Sequence, residues 1–144
     1  MQSQKAEFWQ SHSLKFLEMA FRTDRQETLH KPDGYGMKAR SCGDTVEFYL
    51  MVNDDRIRSI SYMLRGCINT NACANALIEL GQGQTLNQAW RISPADIAAY
   101  LESLPQDHLH CAELAVAAFR QALADARKIR QAPWKKLYAP ASRQ

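Results

Sequence analysis

The sequence lacks any long apolar run. Residues 1–10 contain Lys5 and Glu7 and no apolar stretch of signal-peptide length, and no other segment approaches the length of a membrane span. We therefore expect a cytoplasmic protein without a membrane partner. Cysteines in that compartment usually stay reduced. The four cysteines are thus expected to be ligands or reactive thiols rather than a disulfide framework.

A broad basic stripe and an interleaved aromatic motif are also missing, which argues against nucleic-acid binding. Positive charge collects in residues 128–144, which hold five basic residues and no acidic one. Removing these five from the 18 basic residues leaves 13 against 15 acidic residues. We expect one domain over residues 1–130 and a basic tail over 131–144. Such a tail is more typical of a solvated terminus than of a docking site for an acidic partner.

The spacing of apolar residues in the first half of the chain predicts one helix and a hairpin. The helix is expected over residues 7–22, with an apolar face of Phe8, Leu14, Leu17 and Phe21. Period-two alternation predicts strands over residues 45–52 and 56–65, and residues 36–40 add a short third strand.

The second half of the chain is predicted to be helical. A helix over residues 69–80 is followed by capped helix starts at Thr85 and Ser93, and Asp107 is expected to cap a long final helix. The buried stripe expected for that last helix is Leu109, Ala112, Val116, Phe119 and Leu123. Strands followed by helices indicate an α+β domain, with a small antiparallel three-stranded sheet and helices packed on one face.

Three cysteines fall at the ends of predicted elements. Cys42 lies in the turn Ser-Cys-Gly-Asp, Cys67 follows the second long strand, and Cys111 lies in the first turn of the final helix. The free N–H groups and positive dipole end at a helix start favour a thiolate. With the neighbouring His110 and with Asp44, these three soft sulfur ligands suit iron–sulfur chemistry or zinc.

No metal-binding role is expected for the remaining cysteine and histidines. Cys73 lies on the apolar stripe of the helix over residues 69–80, so we expect it to be a buried core thiol. His108 is expected to be a solvated loop residue, and His12 and His30 receive no role.

The order of these motifs resembles the NifU/IscU family of iron–sulfur cluster assembly scaffolds. The matching segments are Ser-Cys-Gly-Asp at 41–44, Arg-Gly-Cys at 65–67 and Leu-His-Cys-Ala-Glu-Leu-Ala at 109–115, and the resemblance extends over residues 35–127. It implies the SufE/NifU-like fold. It also implies a non-enzymatic carrier that builds a [2Fe–2S] cluster from iron and from sulfur delivered by a cysteine desulfurase. The cluster then passes to recipient apo iron–sulfur proteins.

The resemblance also implies which residues hold the cluster. The cysteines are Cys42, Cys67 and Cys111, the histidine is His110, and Asp44 is the aspartate that makes the cluster labile. Family members without a cluster often hold zinc at the same site, so zinc is expected in the cluster-free form. The resemblance leaves the choice between a monomer and a homodimer open.

Three segments depart from the pattern of the resembled family. Its N-terminal pattern around a His-Tyr pair and an Asn-Pro is replaced by Arg-Thr-Asp-Arg at 22–25. The small-residue stretch after the second cysteine is replaced by the bulkier and more polar residues 68–73, Ile-Asn-Thr-Asn-Ala-Cys. The chaperone-binding segment Leu-Pro-Pro-Val-Lys is replaced by Leu-Pro-Gln-Asp-His at 104–108. We expect a divergent member with an intact cluster site and altered partner surfaces.

Two other functions are compatible with the same ligands. One is a zinc-binding persulfide acceptor accessory to a cysteine desulfurase. The zinc-binding branch of the resembled family carries an insertion between its second and third cysteines, whereas 43 residues with no extra segment separate Cys67 from Cys111. The spacing therefore favours the scaffold. The other function is an interaction domain in which zinc only holds the fold together, ranked last because the predicted sheet and helices can bury a core unaided.

Overall fold

The fold is built on an antiparallel three-stranded sheet of order β1-β2-β3. The protein is represented by a computed structural model that describes residues 12–41 and 43–131. Its strands are β1 (Gly34–Ala39), β2 (Thr45–Asn53) and β3 (Arg56–Arg65), and a 3₁₀ turn spans Gln106–His108. The described helices are α1 (Leu14–Phe21), α2 (Ile68–Gly81), α3 (Leu86–Trp90), α4 (Pro94–Leu101) and α5 (Leu109–Gln131). The predicted α+β class and the three-stranded sheet are confirmed.

The register of the sheet brings the β1–β2 turn next to the end of β3. Thr45 at the start of β2 pairs with Arg65 at the end of β3. At the other end, Asp54 and Asp55 adopt left-handed φ angles of 51° and 68° and form the two-residue turn of the predicted hairpin. The β1–β2 turn and the end of β3, two of the segments predicted to carry ligands, therefore lie side by side at the same end of the sheet.

Helix α5 packs closely against the sheet because β1 contains glycine. A Cβ on Gly36 would lie 2.2 Å from the carbonyl oxygen of Ala118, so no side chain fits between the strand and the helix. Phe119 of α5 also meets Phe48 of β2 edge to face, with ring centroids 5.6 Å apart. These contacts fix the position of α5, which carries Cys111 near its start.

Helix α1 begins later than predicted. Ser13 is its N-cap and accepts a hydrogen bond from the Phe16 amide over 3.0 Å, while residues 7–11 lie outside the described residues. The predicted apolar face is wrong for Leu14 and Phe21, which are 85% and 55% exposed. The buried residues of this helix are Phe16, Met19 and Ala20.

The caps of the later helices follow the prediction in two cases of three. Thr85 with Gln88 and Ser93 with Asp96 form capping boxes. Asp107 does not cap α5, because it lies inside the 3₁₀ turn that precedes this helix. Leu109 is 40% exposed, whereas the other four residues of the predicted stripe are buried.

The described helices include none that is both long enough and apolar enough to cross a membrane. Apart from Gln131, the predicted basic tail lies outside the described residues, and its boundary remains a prediction.

Candidate metal centre

Cys67 connects the end of β3 to the start of α2. It is the N-cap residue of α2, with an extended backbone at φ −90° and ψ −178°. Its sulfur accepts a hydrogen bond from Asn69 Nδ2 over 3.6 Å. Burial is the largest single influence on the pKa of Cys67 and raises it. The backbone N–H groups of Thr70 and Asn69 and the Asn69 amide together outweigh burial, so the pKa is lowered. An exposed thiol with a lowered pKa is a reactive one.

Cys111 is the third residue of α5 and is only 1% exposed. The hydroxyl of Thr70 donates to its sulfur over 3.6 Å, and the same oxygen lies 3.8 Å from the sulfur of Cys67. Burial raises the pKa of Cys111, and the neighbouring Cys67 and the charge of Asp44 raise it further, against the opposing hydrogen bond from Thr70. The two sulfurs therefore share one hydroxyl but differ in reactivity.

Gly66 explains how Thr70 reaches both sulfurs. A Cβ at position 66 would lie 2.8 Å from the Thr70 hydroxyl oxygen, and the Thr70 side chain is fully buried. Glycine before Cys67 therefore leaves the space that Thr70 occupies. This contact gives a local physical reason for the sequence Arg-Gly-Cys.

A histidine completes a group of three potential ligands. The sulfurs of Cys67 and Cys111 and a ring nitrogen of His108 all lie within 4.8 Å of one another. Two thiolates bound to one zinc ion at about 2.3 Å would lie about 3.8 Å apart. A shift of about 1 Å is therefore enough for one ion to bind all three atoms. Two sulfurs and one imidazole nitrogen form a donor set that suits zinc and other thiophilic metals.

His108 differs from its predicted role, because it is half-buried in the 3₁₀ turn rather than solvated. The predicted histidine ligand, His110, is also half-buried but is not in the group of three, and its ring centroid lies 5.7 Å from that of His108. The sequence prediction favoured His110, the residue adjacent to Cys111, and gave His108 no ligand role. The spacing of three between His108 and Cys111 is the signal that could have found it.

Asp44 lies close to the group without belonging to it. It ends the β1–β2 turn, where its carbonyl accepts a hydrogen bond from the Arg40 amide over 2.8 Å. Its charge acts on Cys111. Cys42 lies outside the described residues, so its predicted role remains a prediction. Cys73 is fully buried in the core and burial raises its pKa, which confirms the predicted core thiol.

The polar segment after Cys67 has a structural role that the sequence did not predict. Asn71 Nδ2 donates to the carbonyl oxygens of Ala20 and Arg22 over 2.9 and 2.8 Å, at the end of α1. Asn71 Oδ1 accepts from the Tyr62 hydroxyl over 2.7 Å. This buried network attaches the first turn of α2 to α1 and β3. It therefore holds the backbone that carries Cys67 and Thr70.

Comparison with known proteins gives one family for most of the chain. The family described as the NifU-like N terminal domain matches residues 23–132. The iron–sulfur cluster assembly scaffold protein IscU 1 of Archaeoglobus fulgidus is 34% identical over 98 residues, which are 67% of this chain and 64% of that protein. The chain thus spans slightly less than two thirds of that relative's length.

Two further proteins support the same relationship. The iron–sulfur cluster assembly scaffold protein IscU of Escherichia coli is 36% identical over 101 residues, 69% of this chain and 78% of that protein. The crystal structure of a nitrogen-fixing NifU-like protein (N-terminal) from Brucella abortus superposes with a TM-score of 0.66 at 18% identity. It covers 81% of this chain and 94% of that one. At that identity the structural likeness concerns the fold.

Proposed function

Because the chain belongs to the NifU-like N-terminal domain family, we propose that it is a scaffold that assembles a [2Fe–2S] cluster and transfers it to apo-proteins. The observation that carries the proposal is the group of two sulfurs and an imidazole nitrogen within 4.8 Å. Relatives in Archaeoglobus fulgidus and Escherichia coli are named as such scaffolds. The chain acts as a carrier rather than an enzyme, and iron and the cluster are its cargo.

Cys67 is the residue best suited to accept sulfur. Its lowered pKa raises the fraction of thiolate at neutral pH, and its side chain is exposed. The thiolate attacks the outer sulfur of a desulfurase persulfide, so an S–S bond forms on Cys67 and the desulfurase thiolate leaves. Two electrons from an external reductant then release hydrosulfide and restore the Cys67 thiolate. The proposal thus requires a cysteine desulfurase and a reductant as partners.

The remaining ligands make the site suitable for release. Cys42, Asp44 and His110 are proposed from the sequence resemblance as further ligands, beside Cys67 and Cys111. A carboxylate or imidazole at one position holds iron less tightly than a fourth thiolate does. Zinc is proposed as the occupant of the cluster-free form. A homodimer stays an open prediction.

Anaerobic reconstitution with ferrous iron and sulfide tests this function. We expect a brown protein with iron and acid-labile sulfide in equal amounts, and transfer of the cluster to an apo-ferredoxin. Cys67→Ser should abolish the colour, whereas Cys73→Ala should keep it, because Cys73 lies in the core and not in the group of three. A wild-type protein that stays colourless under conditions that reconstitute a known scaffold contradicts the proposal.

The compactness of the group also fits a second function, a zinc-binding persulfide acceptor. Three ligand atoms within 4.8 Å suit a single ion as well as one end of a cluster. The same experiment separates the two functions. Zinc that remains bound and blocks reconstitution, while desulfurase-dependent persulfide still forms on the protein, favours the acceptor.

A further inference from the structure

We propose that His108, rather than His110, supplies the imidazole ligand when this site holds a single metal ion. The inference rests on the proposed function for the role of the site. Its direct basis is the distance within the group, since a ring nitrogen of His108 lies within 4.8 Å of both sulfurs. Within the described part of the chain, that group does not include His110.

Helix geometry explains why the nearer residue in sequence is not the nearer ligand. Residues three apart share a face in both 3₁₀ and α-helices, and His108 precedes Cys111 by three. Residues next to each other on a helix do not face each other. Since His108 ends the 3₁₀ turn and Cys111 lies in the first turn of α5, the two side chains lie one above the other. His110, next to Cys111 in sequence, occupies a different part of the helix surface by the same rule.

The hydrogen bonding of His108 supports a ligand role. Its Nδ1 atom is buried and has no hydrogen-bond partner among the described residues. A buried imidazole nitrogen without a partner is unfavourable. A metal ion bound at Nδ1 satisfies that atom and leaves Nε2 as the N–H donor, which is one of the two usual ways in which neutral histidine binds a metal.

The two supporting elements are held independently of the metal. Cys67 stays at the N-cap of α2 through the network of Asn71 and Tyr62. Cys111 stays on α5 through the packing of that helix against β1. His108 lies on the short turn directly before α5, so a small movement of this turn is sufficient to close the group around an ion.

A zinc-affinity comparison tests the inference with zinc alone and no sulfide. We expect His108→Ala to weaken Zn²⁺ binding at least about tenfold, measured by competition with a chromophoric chelator. The loss should exceed that of His110→Ala by about the same factor. His30→Ala is the matched control, because His30 is exposed and lies before β1, away from the group. The inference is overturned if His108→Ala and His110→Ala lose equal zinc affinity, or if only His110→Ala loses zinc affinity.

A second measurement uses the wild-type protein and so does not depend on the folding of any variant. In a sample with ¹⁵N-labelled histidine rings, Zn²⁺ should shift one ring nitrogen of His108 to a metal-bound position and leave His30 unchanged. Movement of the His110 signals alone overturns the inference. A protein that builds a cluster but binds zinc without His108 contradicts only this inference. One that binds zinc through His108 but never forms a cluster contradicts only the proposed function.

Discussion

The two thiols of the site are unequal although they share the hydroxyl of Thr70. This hydroxyl donates to the buried sulfur of Cys111 and lies 3.8 Å from the sulfur of Cys67. Cys67 also receives hydrogen bonds from the start of α2, and these lower its pKa, whereas burial raises the pKa of Cys111. One exposed reactive thiol beside one buried thiol suits a site that accepts sulfur at one position and retains iron at the other.

This inequality predicts an order of alkylation. In the metal-free protein, iodoacetamide should modify Cys67 faster than Cys111, and Cys73 should be the slowest of the three. The rate at Cys67 should reach half its maximum at a lower pH than for an ordinary thiol, because its pKa is lowered, while the raised pKa values of the other two move their profiles to higher pH.

Peptide mass spectrometry after timed quenching gives a separate rate for each of these cysteines. Protein denatured in urea is the control, since all cysteines should then react alike. If Cys73 in the folded protein reacts as fast as Cys67, the burial of the core thiol is wrong. If Cys67 gains reactivity only at the pH of an unperturbed thiol, the hydrogen bonds at the start of α2 do not act as described.

Asp44 leads to a second prediction at the level of single residues. Asp44→Ala should make a reconstituted cluster longer-lived, because the carboxylate proposed to make the cluster labile is then absent. The substitution also removes a negative charge that raises the pKa of Cys111, so the thiolate is favoured as well. The measurement is the rate at which the cluster is lost to an apo-ferredoxin.

Asp54→Asn is the matched control for the Asp44 prediction. It removes a carboxylate from the turn at the opposite end of the sheet and keeps a residue type that tolerates the left-handed φ of 51°. The control should transfer its cluster at the wild-type rate. Equal rates for wild type and Asp44→Ala contradict the role of Asp44.

The position of the potential ligands that lie together was predictable where a local rule defines it. Cys67 and Cys111 follow from motifs that coincide with helix starts, and Cys73 follows from the apolar stripe of α2. His108 did not follow, because its proximity to the sulfurs depends on a 3₁₀ turn, where the sequence indicated a helix cap at Asp107. The role of Thr70 did not follow either, since its contacts join residues 41 positions apart.

At the level of elements, the packing of α5 on β1 should control the metal site. Gly36→Ala would place a Cβ 2.2 Å from the carbonyl oxygen of Ala118 and 2.4 Å from the amide nitrogen of Ala122. Both atoms belong to the helix backbone, so α5 itself must move. We expect a loss of unfolding free energy of about 1–3 kcal/mol in urea, together with zinc binding weaker by about tenfold because Cys111 moves with the helix.

Gly83→Ala separates the movement of α5 from general destabilisation. Gly83 has a left-handed φ of 84°, and a Cβ added there would meet no other atom within 4 Å. Alanine at this position therefore costs only about 1–2 kcal/mol of backbone strain. Zinc affinity should stay unchanged in this variant. A Gly36→Ala protein that is destabilised but binds zinc normally shows that the site does not depend on the close packing of α5.

Element boundaries were predictable when a side chain and a backbone signal agreed. Thr85 and Ser93 each have a partner three residues later that completes a capping box. The start of α1 at Ser13 lacks such a partner residue, and the predicted window extended into the residues before it. The buried residues Phe16, Met19 and Ala20 follow the spacing of three and four that defines one face of a helix, whereas Leu14 and Phe21 lie off that face and are exposed.

At the scale of the whole molecule, the composition of the hydrophobic core indicates whether folding requires a bound metal ion. Buried apolar residues come from the helices and the sheet alike, including Phe16 of α1, Phe48 of β2, Leu77 of α2 and Phe119 of α5. These contacts do not involve the group of three ligands, apart from the Cys111 side chain itself. The site therefore lies at the edge of the core, and Cys111 is the member of the group that also belongs to the core cluster.

Removal of metal should consequently leave the protein folded. After treatment with a chelator, we expect an unchanged far-UV circular dichroism spectrum and a single cooperative urea transition. Added Zn²⁺ at 100 times its dissociation constant should then stabilise the protein by only about 2.7 kcal/mol, the increment that binding to the native state alone provides. A Cys67→Ser/Cys111→Ser double variant should unfold cooperatively and lose that increment. If chelation instead abolishes the transition, zinc is a structural ion, and the interaction-domain hypothesis replaces the scaffold, since structural zinc sites couple binding to folding.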